Sequence, residues 1–210
     1  MLADRINRAA RRVPAWAIYI VCATAVVWLF WRAAAGALGP DPVKVIEKQL
    51  GEWAIWTLAA GLAVTPLRRF TGIGLIGFRR ALGVSAFALV TAHLATWVVL
   101  DMGMLLAQAL ADTVKRPFVT AGMAGFLVMI PLAATSNNWA VRRLGPVRWR
   151  KLHRLTYLAA FAGAIHVLWQ AKVLSFEPVL QAGAILTLLA MRLIPKRFPG
   201  FGADSRMNRA

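Results

Sequence analysis

Apolar residues in this chain gather into runs that are too long for one face of a soluble helix and lack the alternation of a strand. Six such runs, at about 14–31, 50–67, 81–100, 118–135, 152–171 and 176–194, approach the roughly 20 residues that a helix needs to cross about 30 Å of hydrocarbon. Lipid offers the backbone no hydrogen bonds, so runs of this kind must fold as helices. The pattern predicts an all-α fold, a polytopic membrane bundle of six transmembrane helices in one domain over 1–210, with both termini on the same side. Pro117 suits the first turn of the fourth span, whereas Pro131 falls inside it and should bend it or end it early. Between the first two spans, GALGPDPVKVIEKQ has room for a short surface helix after Pro42. KLHRLTYLAAFAGAIHVLWQAK, at 151–172, reads as one continuous helix.

Composition agrees with this reading. The chain is 60% hydrophobic with a mean hydropathy of +0.62, against roughly 45–50% apolar in soluble domains. Its first run follows Arg5, Arg8, Arg11 and Arg12, as in a signal peptide, but exceeds the roughly 7–15 residues of a signal core. Trp28, Phe30, Trp31 and Arg32 crowd the region of any cleavage, so a retained first helix is expected. Cys22, the single cysteine, excludes a disulfide within the chain and any thiolate set for zinc or an iron–sulfur cluster.

A net charge of +17 raises the question of nucleic acid. The basic residues form short clusters between apolar runs, with no continuous face for a nucleic-acid backbone. Nineteen of the 25 fall in 1–13, 68–80, 142–154 and 192–210, where the only acids are Asp4 and Asp204. These regions alternate with connections that hold six bases and six acids. By the positive-inside rule both termini are cytoplasmic, and the partner of the clusters is membrane lipid. Trp28, Trp31, Trp53, Trp56, Trp97 and Trp169 fall near the outer ends of their spans, as an interfacial aromatic belt does.

All three histidines lie within or at the edge of an apolar run. An ionisable side chain is costly in a membrane helix, so its default reading is functional. On the predicted topology His93 lies eight residues before Asp101 and His166 six before Lys172, about 12 and 9 Å below the outer boundary at 1.5 Å per residue. Two imidazoles at one depth on two parallel helices meet the requirement for clamping a haem iron, which then has no open position for oxygen and serves electron transfer. Other readings of the pair are hydrogen bonding within the bundle, a polar cavity, or a zinc or proton-relay site; no carboxylate or cysteine stands at that depth. His153, 13 residues before His166, falls at the cytoplasmic edge, and a second haem there would find Arg79 and Arg80 where its other histidine is wanted. The loops PLRRFTG (66–72), FRR (78–80) and RRLGPVRWRKLHR (142–154), with Trp149 and Gly145, offer a seat for haem propionates, a flavin phosphate or anionic lipid. Met102, Met104, Met123 and Met129 read as packing residues.

Several strings carry a family resemblance: PDPVKVIE (40–47), LAVTPLRRFTG (62–72), FRRALGVSAF (78–87), AHL (92–94), KRPFVTAGM (115–123), PLAATSNN (131–138), RRLGPVRWRKLHRLTYLAA (142–160) and HVLWQAK (166–172). In this order they resemble the MsrQ (YedZ) proteins of the ferric-reductase-like transmembrane group. The resemblance implies a multi-pass b-type cytochrome of the bacterial inner membrane, an electron-transfer subunit rather than a catalytic one. Such a subunit takes electrons from the quinone pool, directly or through FMN, and passes them to MsrP, a periplasmic molybdopterin-containing methionine-sulfoxide reductase that repairs oxidised periplasmic proteins. It further implies that His93, His153 and His166 are haem ligands, with Arg79 and Arg80 at the cofactor where relatives with two stacked haems carry a histidine. Only 16 residues follow Ile194, too few for flavin and nicotinamide domains, so electrons are expected from a quinol or a separate donor. The competing classes are a stand-alone metal-ion reductase and a transporter whose histidines relay protons. Paired intramembrane carboxylates would favour the transporter, but Glu52 and Asp101 fall near span ends.

Reporters fused after residue 73, after 145 and at the C-terminus should read cytoplasmic, and those near 42 and 110 periplasmic. A periplasmic signal from the 145 fusion would overturn the common depth assigned to His93 and His166.

Overall fold

The computed structural model of the chain describes residues 2–171 and 175–194. Among these residues the regular elements are all helical. In order they are α1 (Leu2–Arg12), α2 (Trp16–Ala34), α3 (Pro42–Thr71), α4 (Arg79–Thr96), α5 (Leu106–Lys115), α6 (Pro117–Ala134), α7 (Asn138–Leu152), α8 (Leu155–Gln170) and α9 (Phe176–Ala190). A 3-10 turn, Ile76–Phe78, leads into α4, and a π-helical turn, Trp97–Asp101, continues it. Among the described residues four helical stretches are long and apolar enough to cross a membrane: α2, α3, Ile76–Asp101 and α6; α8 and α9 are apolar but shorter. Lys172 and the basic residues beyond Ile194 lie outside the described residues.

Three elements differ from expectation. The surface helix after Pro42 and the second span are one helix, α3, of 30 residues, about 45 Å at 1.5 Å per residue. Nothing between Pro42 and Leu50 breaks it. Asp41 accepts a hydrogen bond from the Lys44 amide at 3.1 Å, Pro42 occupies the first turn, and Gly72 ends the helix in the left-handed conformation at φ 76°. The helix expected over 151–172 is interrupted, because α7 closes at His153 and α8 begins at Leu155. Thr135, just past α6, fixes that corner: its carbonyl accepts from Trp149 Nε1 at 2.9 Å, and its hydroxyl meets His153 Nε2 at 3.1 Å. Finally, the basic N-terminal arm is itself the helix α1, tied to the α3–α4 connection. Asn7 donates to the Gly72 carbonyl at 3.1 Å and accepts from the Gly74 amide at 2.7 Å.

Five helices close a ring. α3 packs along α4 and α6 along α8, while α4 meets α6 and α9 joins α8 back to α3. The interior is filled by Ile55, Leu58 and Leu62 of α3, Ala159, Ala160 and Ala164 of α8, and Ile185 of α9. Small residues let α6 and α8 approach closely, since a Cβ on Gly125 would already stand 3.4 Å from the Ala162 Cβ and 3.5 Å from the Ala159 carbonyl. α2 lies outside the ring with Leu29 its one buried residue. Pro131, expected to bend or end the fourth span, sits one turn before α6 stops at Ala134.

Near the C-terminal end of α3 a second proline is compensated. Pro66 has no N–H to give the Leu62 carbonyl four residues earlier. Arg192, just past α9, takes that carbonyl at 2.8 Å, donates to the Tyr157 hydroxyl at 2.9 Å and lies over the Tyr157 ring at 4.8 Å. One cation of the predicted C-terminal cluster thus staples α3, α8 and α9. Arg192→Leu should cost about 1–3 kcal/mol by leaving a buried carbonyl unpaired. Adding Pro66→Ala should recover part of the loss by restoring the helical bond; thermal unfolding of the two variants checks this, and equal melting temperatures would count against the staple.

Candidate functional site

His93 and His166 come from opposite sides of the ring, and each is held by the same local device. On α3, His93 Nδ1 bonds the Glu47 carbonyl at 2.8 Å; on α6, His166 Nδ1 bonds the Phe118 carbonyl at 2.7 Å. Four residues after each carbonyl stands a glycine, Gly51 or Gly122. One helical turn on, a side chain at that position would cover the carbonyl. A Cβ on Gly51 would lie 3.3 Å from His93 Nδ1, and one on Gly122 only 2.7 Å from His166 Nδ1. The missing Cβ opens a notch through which the imidazole edge reaches a helical carbonyl.

A carbonyl oxygen only accepts, so Nδ1 carries the proton in both rings and Nε2 keeps its lone pair. No hydrogen bond to either Nε2 is present among the described residues. The ring centres are 6.2 Å apart, with planes inclined at 76°. Two imidazoles facing one metal at about 2 Å each, the donor nitrogen roughly 1 Å out from the ring centre, have centres about 6 Å apart. Edge-to-face ring contact also allows that distance. The fixed tautomer fits metal ligation as well, because backbone carbonyls hold one nitrogen of each ring, as they do in many metal-bound histidines.

The two rings project into a cavity of about 870 Å³ between α3, α4, α6, α8 and α9. Deep in it the wall is apolar, with Ile55, Leu58, Phe126 and Met129, while its mouth carries Lys44, Lys48, Glu52, Asp101, Arg116 and Glu177. The mouth is cross-linked by charge. Lys44 pairs with Asp101 at 2.8 Å and Glu47 at 3.1 Å, and Lys48 with Glu52 and Glu177 at 3.3 Å each. Asp101 ends the π-helical turn that follows α4.

His153 belongs to a separate place. It is stacked on Trp149, ring centres 3.9 Å apart and 26° from parallel. The Thr135 hydroxyl already donates to the Pro131 carbonyl at 2.6 Å, so it accepts from His153 Nε2–H. His153 therefore has the tautomer opposite to that of the other two. The guanidinium groups of Arg79 and Arg80 lie within electrostatic reach of its imidazole. Arg80 donates to the Asn138 side chain at 2.8 Å. No group of three or more potential metal-ligating His, Cys, Asp or Glu side chains occurs among the described residues.

Of the residues expected to form the site, the structure brings His93 and His166 together and sets Arg79 and Arg80, at the start of α4, and His153, at the end of α7, apart from them. Sequence reasoning missed Gly51, Gly122, Thr135 and Gln181, the last buried in the cavity wall. The glycines had a signal, since both interrupt apolar helical runs where alanine would be the better helix former.

Comparison with known proteins adds the relatives. The family described as ferric reductase like transmembrane component matches residues 50–164. A protein-methionine-sulfoxide reductase heme-binding subunit MsrQ from Brucella anthropi is 45% identical over 179 residues, 85% of this chain and 81% of that protein. Those of Agrobacterium fabrum and Rhizobium meliloti are 44% and 46% identical, covering 85% and 87% of this chain and 83% and 84% of theirs.

Gly122→Ala should displace His166 from the Phe118 carbonyl and weaken cofactor retention about tenfold or more, within the range for loss of an outer-shell partner of a metal ligand. Gly51→Ala, whose Cβ is less crowded, should cost less. Haem-to-protein ratios after identical purification check the order; equal retention in both variants would remove the notch from the account.

Proposed function

The chain belongs to the MsrQ family of heme-binding subunits of protein-methionine-sulfoxide reductase, and from that premise we propose that it is a b-type cytochrome carrying electrons outward across the bacterial inner membrane. The observation that carries this reading is the pair of glycine notches, which fix two imidazoles in one tautomer, Nδ1–H to a backbone carbonyl, on two residues that line one cavity. His93 and His166 would hold one haem b between them. Haem held by two histidines supplies one-electron transfer between ferric and ferrous iron, with no open coordination position for oxygen.

The protein's own groups do the rest. The Glu47 and Phe118 carbonyls hold the ligand rings and raise their basicity. Leu58, Phe126 and Met129 keep the inner part of the cavity dry. The ion-paired mouth marks the outer face as the side of departure, and the arrangement of basic clusters supports six spans with both termini in the cytoplasm. The donor is quinol and the acceptor the periplasmic molybdopterin-containing reductase MsrP, as the resemblance implies; the relatives' description as subunits of a protein-methionine-sulfoxide reductase supports an acceptor of that activity. The resemblance carries FMN, and the place on this chain that suits its phosphate is the inner cluster of Arg79, Arg80 and Trp149. A second haem on His153 has less support, because its Nε2 is engaged by Thr135.

Purified protein should show a low-spin b-type spectrum, and His93→Ala and His166→Ala should each abolish the same haem. In proteoliposomes, quinol should reduce that haem, and external MsrP with a methionine-sulfoxide substrate should reoxidise it. Haem that stays reduced with both present, or oxidation of NADH by the protein alone, would overturn the assignment.

A further inference from the structure

The short helix α5 divides into three strips of different chemistry. Leu106, Leu110 and Val114, four residues apart, form an aliphatic strip and are 57%, 69% and 82% exposed. A second strip packs: Ala109 is buried, and the Thr113 carbonyl accepts from the Thr120 hydroxyl of α6. The third is polar, with Gln108, Asp112 and Lys115. At 3.6 residues per turn the packed strip falls between the other two. α5 therefore rests on α6 with its large aliphatic side chains along one flank and its polar ones along the other.

Both ends of α5 are tied to helical stretches long and apolar enough to cross a membrane. At its start the Met102 amide donates to the Trp97 carbonyl at 2.9 Å and the Met104 amide to the Val98 carbonyl at 3.0 Å. Gly103 and Met104 take left-handed φ values of 56° and 64° there, so the chain turns directly after the π-helical turn. At its end the Arg116 amide donates to the Asp112 carbonyl at 2.9 Å, and Pro117 opens α6 at once. A helix of 10 residues, about 15 Å long, with ends so fixed cannot leave the level at which the two spans end. Val99 and Leu100, at the neighbouring span end, are apolar and exposed as well. That level is the boundary of hydrocarbon and water, where aliphatic side chains enter the acyl region and polar ones meet headgroups and water.

We propose that α5 is an interfacial helix whose strip of Leu106, Leu110 and Val114 docks on the lipid bilayer itself. The occupant is phospholipid because the strip carries no charged or hydrogen-bonding side chain, and at the level of the span ends acyl chains cover it before any soluble protein arrives. Asp112, on the polar flank, pairs with Arg116 at 3.1 Å, and Arg116 lines the mouth of the cavity that holds His93 and His166. Lipid docking of α5 thereby holds one side of that mouth in place. The inference needs only the membrane spans on either side of α5 and stands apart from the electron-transfer reading.

The test is fluorescence quenching of a bimane label on the full chain, carrying Cys22→Ser, in phosphatidylcholine vesicles with and without brominated acyl chains. The label is attached at Leu110→Cys, on the aliphatic strip, or at Gln108→Cys, on the polar one. Bromolipid should quench the label at 110 about threefold more than that at 108, and aqueous iodide should do the reverse, as an apolar face sunk about 5–10 Å into the boundary requires. Equal bromolipid quenching at the two positions, or iodide access at 110 as free as at 108, would overturn the proposal. So would a label at 110 that is shielded only when a second copy of the chain or a soluble redox partner is added, which would make the strip a protein interface. Should Leu110→Cys fail to fold, Val114→Cys, one turn on and more exposed, gives the same reading.

Discussion

The site depends on an imidazole N–H reaching a carbonyl that already belongs to a helix. Helical carbonyls are engaged one turn onward and covered by the side chain there, so a second donor can approach only where that side chain is missing. Gly51 and Gly122 supply the gap, four residues after Glu47 and Phe118. Each bond fixes its tautomer and the rotation of its ring, and because both rings donate from Nδ1, both present Nε2.

The larger architecture repeats this device twice. α3 with α4, and α6 with α8, are the two most extensively packed pairs, and in each one helix carries the histidine while the other provides the notch. α9 completes the ring and contributes the core residues Ala182 and Ile185 and the polar Gln181. The end of the bundle away from the His93–His166 pair has a different logic. Arg192 and Thr135 satisfy groups released by a proline or a helix end, and His153 is bound into that network. Three histidines that look alike in the sequence thus occupy two chemically different places.

Much of this was legible from the chain alone. The six apolar runs fall on α2, α3, α4, α6, α8 and α9, and the spacing of His93 and His166 from the ends of their runs suggested a common depth. The interruption at His153 was not legible, because KLHRLTYLAA contains no helix breaker; the turn is imposed by Thr135, 18 residues earlier. Nor was the length of α3, where Pro42 marks a helix start but nothing in PVKVIEKQ says whether that helix continues. Gly51 and Gly122 were visible as glycines in helices, but their meaning depends on which histidine faces them. That is a tertiary fact. Gln181 read as an ordinary polar residue near a helix start and gained significance only from its burial without a partner.

The central claim, that His93 and His166 bind one iron through Nε2 with their rings held by two separate notches, is tested most directly by low-temperature electron paramagnetic resonance of the oxidised protein. The ring planes are 76° apart, and imidazole planes so nearly perpendicular bring two iron d-orbitals close in energy. The account therefore predicts the strongly anisotropic low-spin ferric signal of crossed bis-histidine ligation, lost together in His93→Ala and His166→Ala. A rhombic signal of parallel imidazoles, or a high-spin signal of iron with one protein ligand, would contradict it.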